Sequence, residues 1–151
     1  MIFHGLYIGK TETMGRGVFT PIDIGVNTVI EVSPVIVMTK EERKFLDQTL
    51  LHDYIFEWGM NKDLCCMALG YVPVYNHSYR SNCEYEMPAR LSHSRPYRHG
   101  RAGGNPIAIG FENDTIKIKT IRSIKAGEEL FINYNGDWND EKSVWFDRRS
   151  P

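Results

Sequence analysis

A chain of 151 residues, 42% hydrophobic and 25% charged with a formal net charge of −1, is the size of one domain and can bury a core without covalent staples. The near balance of charge excludes a surface that is basic all over, so contact with a polyanion has to come from a local cluster. No apolar run approaches the roughly 20 residues of a membrane helix and the N-terminus lacks a basic-then-apolar leader, so a soluble, intracellular chain with no membrane partner is expected, in cytoplasm or nucleus.

In chain order, Gly5 to Lys10 alternates as a short strand. Gly15-Arg16-Gly17 sets two glycines around one basic residue and implies a bend with open backbone before Val18-Phe19. Thr28 to Val32 is a β-branched run that Pro34 is expected to break, so that Val35 to Met38 starts a new strand or an edge. Thr39-Lys40-Glu41-Glu42 is a capping box. The apolar positions Phe45, Leu46, Thr49 and Leu50 that follow predict one principal helix over about 40–52 with a core-facing stripe. Tyr54 to Trp58 and Leu64 to Leu69 read as a hairpin with a longer loop. Three cysteines, two of them the neighbours Cys65 and Cys66, supply neither an even disulfide framework nor a Cys-x-x-Cys metal site; they are expected as small buried hydrophobes, with no metal bound.

Tyr75-Asn76-His77-Ser78 and Asn82-Cys83 crowd polar groups between apolar runs, where each amide or imidazole must find a buried partner or line a site. From Met87 to Phe111 no carboxylate occurs, while Arg90, His93, Arg95, Arg98, His99 and Arg101 gather around prolines and Gly103-Gly104. Such a loop is either a solvated surface segment or an arm for an acidic or nucleic-acid partner. Ile107 to Phe111 and Thr115 to Thr120 form the cleanest hairpin pattern, isoleucines on one face and lysines on the other. Many short strands with frequent turn residues indicate a mainly β, β-rich α+β domain rather than βαβ units.

Three of these pieces in order, Gly15-Arg16-Gly17-Val18-Phe19, Asn76-His77-Ser78 with Asn82-Cys83, and Gly127-Glu128-Glu129-Leu130 ending at Tyr134, resemble the successive motifs of the SET-domain protein lysine methyltransferases. The likeness runs from about Gly5 to Asp137, which makes the whole chain, 1–151, a single minimal SET domain with a basic inserted loop at about 88–105 and a short aromatic tail at about 136–151. It implies a fold of several small curved sheets in which the segment ending in Gly-Glu-Glu-Leu crosses the stretch after Asn-His-Ser as a pseudoknot, a threading that general connection rules would not reach. It also implies transfer of a methyl group from S-adenosylmethionine to the ε-amine of a lysine in a protein substrate, a histone or another basic protein. Carried over by position, Arg16 and Gly17 would meet the donor's methionine part, Asn76 and His77 its amino and adenine portions. Tyr134 would be the catalytic tyrosine, and Tyr85, Ile132 and Trp138 would line the lysine channel.

Several positions depart from the family pattern. Asn133 stands where an acidic residue commonly precedes the tyrosine, and Ile132 where an aromatic often sets the number of methyl groups. Val32 follows the retained Glu31, and the cysteine-rich flanks that bind zinc in many relatives are absent, so Trp138, Trp145 or Phe146 are the candidates to close the channel. Two rival functions share these residues: a SET-like module that binds a peptide or the donor without turnover, and a nucleic-acid module using Arg90 to Arg101. The sequence says nothing of oligomeric state.

Overall fold

The computed structural model describes residues 1–59, 61–88 and 114–147. The basic cluster Arg90 to Arg101 and the strand expected over 107–111 lie outside the described residues. The elements are β1 (Tyr7–Lys10), β2 (Arg16–Phe19), β3 (Val29–Met38), α1 (Lys40–Leu46), β4 (Phe56–Trp58), β5 (Leu64–Ala68), β6 (Asn76–His77), β7 (Cys83–Glu86), β8 (Thr115–Thr120) and β9 (Glu129–Ile132), with 3₁₀ turns at Leu50–Tyr54 and Val72–Val74. Short strands in small sheets with one α-helix make this a mainly β fold. The chain forms two compact units, Met1–Val32 with Val74–Glu86 and Lys117–Pro151, and Ser33–Pro73 with Met87–Ile116.

In the first unit β1 and β2 form an antiparallel hairpin from Tyr7↔Phe19 to Lys10↔Arg16. The turn closes with Thr11 N–H donating to Gly15 O at 3.0 Å, and Gly15 sits at φ +76°, a conformation that costs glycine little and other residues much. The bend expected at Gly15-Arg16-Gly17 therefore falls before Arg16, and Arg16 and Gly17 are strand residues. On its other side β2 pairs antiparallel with β9 through Val18↔Leu130 and Phe19↔Glu129. β9 in turn pairs in parallel with β6 through Asn76↔Phe131 and His77↔Ile132, giving the order β1-β2-β9-β6.

Asn82 completes this arrangement. Its buried amide donates to Glu129 O at 2.8 Å and accepts from Phe131 N at 2.7 Å, gripping β9 like a further strand. β9 is thus held between β2 and the stretch 76–82, which is the crossing the resemblance implies. β7 and β8 pair antiparallel from Cys83↔Thr120 to Glu86↔Lys117. Alternation along β8 buries Ile118 on the face opposite its lysines. With Val18, Ile30, Cys83, Leu130 and Ile132 it makes a core of fully buried side chains, each contributing about 1.5–3 kcal/mol.

In the second unit the end of β3 pairs with β5 from Val35↔Ala68 to Met38↔Cys65, and β5 with β4 from Phe56↔Cys66 to Trp58↔Leu64, as the hairpin pattern predicts. Cys65 and Cys66 are free and buried, with burial pushing both thiols up into the neutral form. Pro34 does not break β3. A missing N–H is tolerated where no partner needs it, and the Pro34 carbonyl accepts from Leu69 N at 2.9 Å while Val35 N–H resumes donating, to Asp114 O at 3.0 Å.

The helix is shorter than the expected 40–52. Its N-terminal capping box forms, with Thr39 Oγ1 accepting from Glu42 N and Glu42 Oε2 from Thr39 N, but α1 ends at Leu46. The cause is Thr49, whose extended backbone and hydroxyl, accepting from Leu51 N at 3.1 Å, start a separate 3₁₀ turn. The core-facing stripe does not form either: Phe45 is 73% and Leu50 84% exposed, and α1 buries no residue.

Candidate active site

All eight residues singled out for the site belong to the first unit. Seven are drawn together by β2, β6, β7 and β9, and one stands aside. Asn76 on β6 reaches across to β2. Its Nδ2 donates to Arg16 O at 2.9 Å and to Glu129 Oε1 at 2.7 Å, which uses both amide hydrogens and leaves Oδ1 as an acceptor. Gly17 permits that approach, because a Cβ there would lie 2.1 Å from Glu129 Oε1 and 3.0 Å from Asn76 Nδ2. Glu129 was not among the predicted site residues. The second carboxylate of Gly-Glu-Glu-Leu was its only signal, and nothing local says that it pairs with an asparagine 53 positions earlier.

His77, next to Asn76, is bound to the tyrosine motif. The main-chain N–H of Tyr134 donates to His77 Nδ1 at 3.1 Å, so the imidazole proton must sit on Nε2. That Nε2 is buried and has no hydrogen-bond partner among the described residues, a costly state for an N–H donor. Burial holds the His77 pKa below its ordinary 6.5, with the Asp147 carboxylate pulling weakly the other way. The ring is therefore neutral near pH 7 and presents one unsatisfied donor.

Tyr134 follows directly on β9 and Asn133. Its hydroxyl donates to Tyr75 O at 2.8 Å, committing the phenol proton to a carbonyl. Its ring stacks on Trp145 with centroids 5.6 Å apart and meets Phe146 edge-on at 6.2 Å; Phe146 also contacts His77 at 5.7 Å. Tyr85, on β7, makes a long bond to Tyr134 O at 3.4 Å. Ile132 is fully buried in register with His77. Trp138 is 50% exposed, and its carbonyl accepts from Ser81 Oγ at 3.5 Å. The aromatics against Tyr134 are Trp145 and Phe146, the other two candidates that the sequence offers to close the channel.

Comparison with known proteins follows the same boundaries. The SET domain family model matches residues 15–135. A Schizosaccharomyces pombe histone-lysine N-methyltransferase, H3 lysine-37 specific, is 33% identical over 149 residues, covering 97% of this chain and 84% of that protein. The crystal structure of a candidate histone methyltransferase of Plasmodium falciparum superposes with a TM-score of 0.60 at 27% identity, over 91% of this chain and 98% of that one. A humanized mutant of the Chaetomium thermophilum Polycomb Repressive Complex 2, bound to the inhibitor GSK126, shares the fold, with a TM-score of 0.63 at 19% identity over 87% of this chain and 15% of that one.

Proposed function

The chain belongs to the SET domain family, and on that premise we propose that it transfers a methyl group from S-adenosylmethionine to the ε-amine of a lysine in a basic protein, a histone in the first instance. It is a protein-lysine methyltransferase, and a histone substrate would put its work in the nucleus. The observation that carries the reading is the junction of His77 and Tyr134, where one half-buried imidazole, its Nε2 buried without a partner among the described residues, holds the tyrosine's main chain.

The residues suit the donor. Asn76, with both amide hydrogens committed to Arg16 O and Glu129 Oε1, keeps Oδ1 as an acceptor for an ammonium group. At Gly15 a Cβ would meet nothing within 4 Å, so the backbone leading into Arg16 and Gly17 is open to a close-lying ligand. When bound, the sulfonium donor supplies an already activated methyl group.

What the chain must then do is bind, align and exclude water, and alignment alone can supply about 7–11 kcal/mol. Tyr134, Tyr85, Trp145 and Phe146 make an aromatic wall in which a lysine ammonium loses hydration, which favours its neutral, nucleophilic form. The Tyr134 phenol, its proton given to Tyr75 O, meets the amine as an acceptor and directs the nitrogen lone pair toward the methyl carbon.

Mass-resolved methylation of a panel of basic proteins, with histone H3 and ribosomal proteins included, reads substrate and methyl number together. Methyl incorporation that depends on the donor and falls in Tyr134→Phe is the expected result. Donor binding with no protein labelled would sink the proposal.

A further inference from the structure

The stretch 140–147 carries Trp145 and Phe146 to Tyr134, yet it has no strand or α-helix to hold it, and Val144 is its one buried side chain, at 3% exposure. The burial of one valine is too little alone to order the whole stretch, so polar tethers share in keeping it docked. Those tethers come from residues beside His77 and Tyr134. The Tyr79 hydroxyl donates to Asp147 Oδ2 and accepts from Val144 N–H at 3.1 Å, while its ring stands edge-on to His77 at 4.4 Å. Val144 N–H also reaches Asp147 Oδ2 at 3.2 Å, and Asp147 N–H returns to Val144 O at 3.2 Å, so Tyr79 grips a closed turn. Further back, Asn133 Nδ2 donates to Asp140 O at 2.7 Å and Asn135 Nδ2 to Lys142 O at 2.6 Å.

We infer that Tyr79, Asn133 and Asn135 form a latch that docks the stretch 140–147 and so positions Trp145 and Phe146 against Tyr134. These are positioning residues; the latch acts through the aromatic pair and touches no reacting atom. The identity of residue 133 bears on this. A carboxylate, common at this point in the family, accepts hydrogen bonds but cannot donate to Asp140 O, whereas the Asn133 amide does so and also accepts from Asn135 N–H at 3.1 Å. The kinetic consequence rests on the function proposed above; the structural one does not.

The full chain labelled with 5-fluorotryptophan tests both. The ¹⁹F signal of Trp145 is assigned by its loss in Trp145→Phe, and that of Trp58, buried in the second unit, reports that the fold persists. Tyr79→Phe removes only the hydroxyl and keeps the ring on His77. It should move the Trp145 signal toward that of an exposed indole, leave Trp58 unmoved, and lower kcat/KM for the protein substrate by about tenfold. Asp147→Ala, at an exposed position, should do the same, while Asp147→Asn, which keeps an acceptor for Tyr79, should restore the wild-type signal and rate. An unmoved Trp145 signal in Tyr79→Phe overturns the latch, as does Asp147→Asn behaving like Asp147→Ala. A moved signal with kcat/KM unchanged overturns its positioning role. If the signals behave as expected but the unaltered chain methylates nothing, the latch stands and the proposed function falls.

Discussion

Tyr134 N–H donates to His77 Nδ1 at 3.1 Å, joining two motifs 57 positions apart through one imidazole lone pair. A lone pair serves this bond only while Nδ1 is unprotonated, so the neutral ring is a structural requirement at the point where Asn-His-Ser meets the tyrosine. The same bond fixes the tautomer and leaves the proton on Nε2, a buried atom with no partner among the described residues.

Acid should therefore weaken both fold and site through His77. Its folded pKa is lowered by burial, so below the ordinary value of 6.5 the unfolded chain takes up the proton first. The stability contributed by the neutral ring is full above 6.5 and is lost as the pH falls from there through the lowered folded value. Urea unfolding between pH 7.5 and roughly 5 should show a falling midpoint that flattens in His77→Asn, whose Oδ1 can accept from Tyr134 N–H without titrating. A midpoint with the same pH slope in both proteins would remove His77 as the cause.

Tyr134→Phe should separate chemistry from structure. The phenylalanine ring keeps the stack on Trp145 and loses one hydroxyl bond to Tyr75 O, costing about 1 kcal/mol of stability. The methyl-transfer rate at saturating substrate should fall by about 10²-fold or more, the usual scale for removing a group that orients a reacting atom. Single-turnover rates on the best substrate of the panel measure this, with thermal melts to confirm that the chain remains folded.

The sequence was informative about short strands and about the three ordered motifs, because alternation and glycine placement are local signals. It located Asn76, His77 and Tyr134, the residues that meet in the structure. It misplaced what depends on distant partners. The stripe of Phe45 and Leu50 had helical spacing, but spacing cannot report that Thr49 would cap a new turn and leave both exposed. Pro34 looked like a break, yet the ladder continues through it, with its carbonyl accepting from Leu69 N and the next N–H, of Val35, donating to Asp114 O. Trp138, Trp145 and Phe146 are equal candidates along the chain, and it is the latter two whose rings meet Tyr134. What separates them is a set of side-chain bonds from Tyr79, Asn133 and Asn135 that no pattern along the chain announces.

Gly17→Ala should disturb the Asn76–Glu129 pair. The added carbon would fall 2.1 Å from Glu129 Oε1 and 2.8 Å from its carboxyl carbon, and Glu129 cannot swing away without releasing Asn76 Nδ2. Overpacking of this kind costs about 1–3 kcal/mol. Because Asn76 is displaced as well, donor affinity should drop more than stability does. Calorimetric titration with S-adenosylmethionine beside a thermal melt distinguishes the two effects, and an unchanged affinity would detach Gly17 from the donor site.

The bonds of Asn82 to β9 carry the last prediction. Its amide satisfies Glu129 O and Phe131 N at once, at 2.8 and 2.7 Å, from a position only 2% exposed. Asn82→Ala would strand a buried donor and a buried acceptor, about 1–3 kcal/mol, and would loosen the strand that leads into Tyr134. Asn82→Asp keeps the acceptor for Phe131 N but turns a carboxylate on the Glu129 carbonyl, so it should be no better than alanine at neutral pH and should partly recover on acidification. Hydrogen exchange tells whether the damage is local. In Asn82→Ala the Phe131 amide should lose protection first, with the β1–β2 hairpin amides following only at global unfolding. Loss of protection everywhere at once would mean that Asn82 holds the whole first unit rather than the crossing of β9 alone.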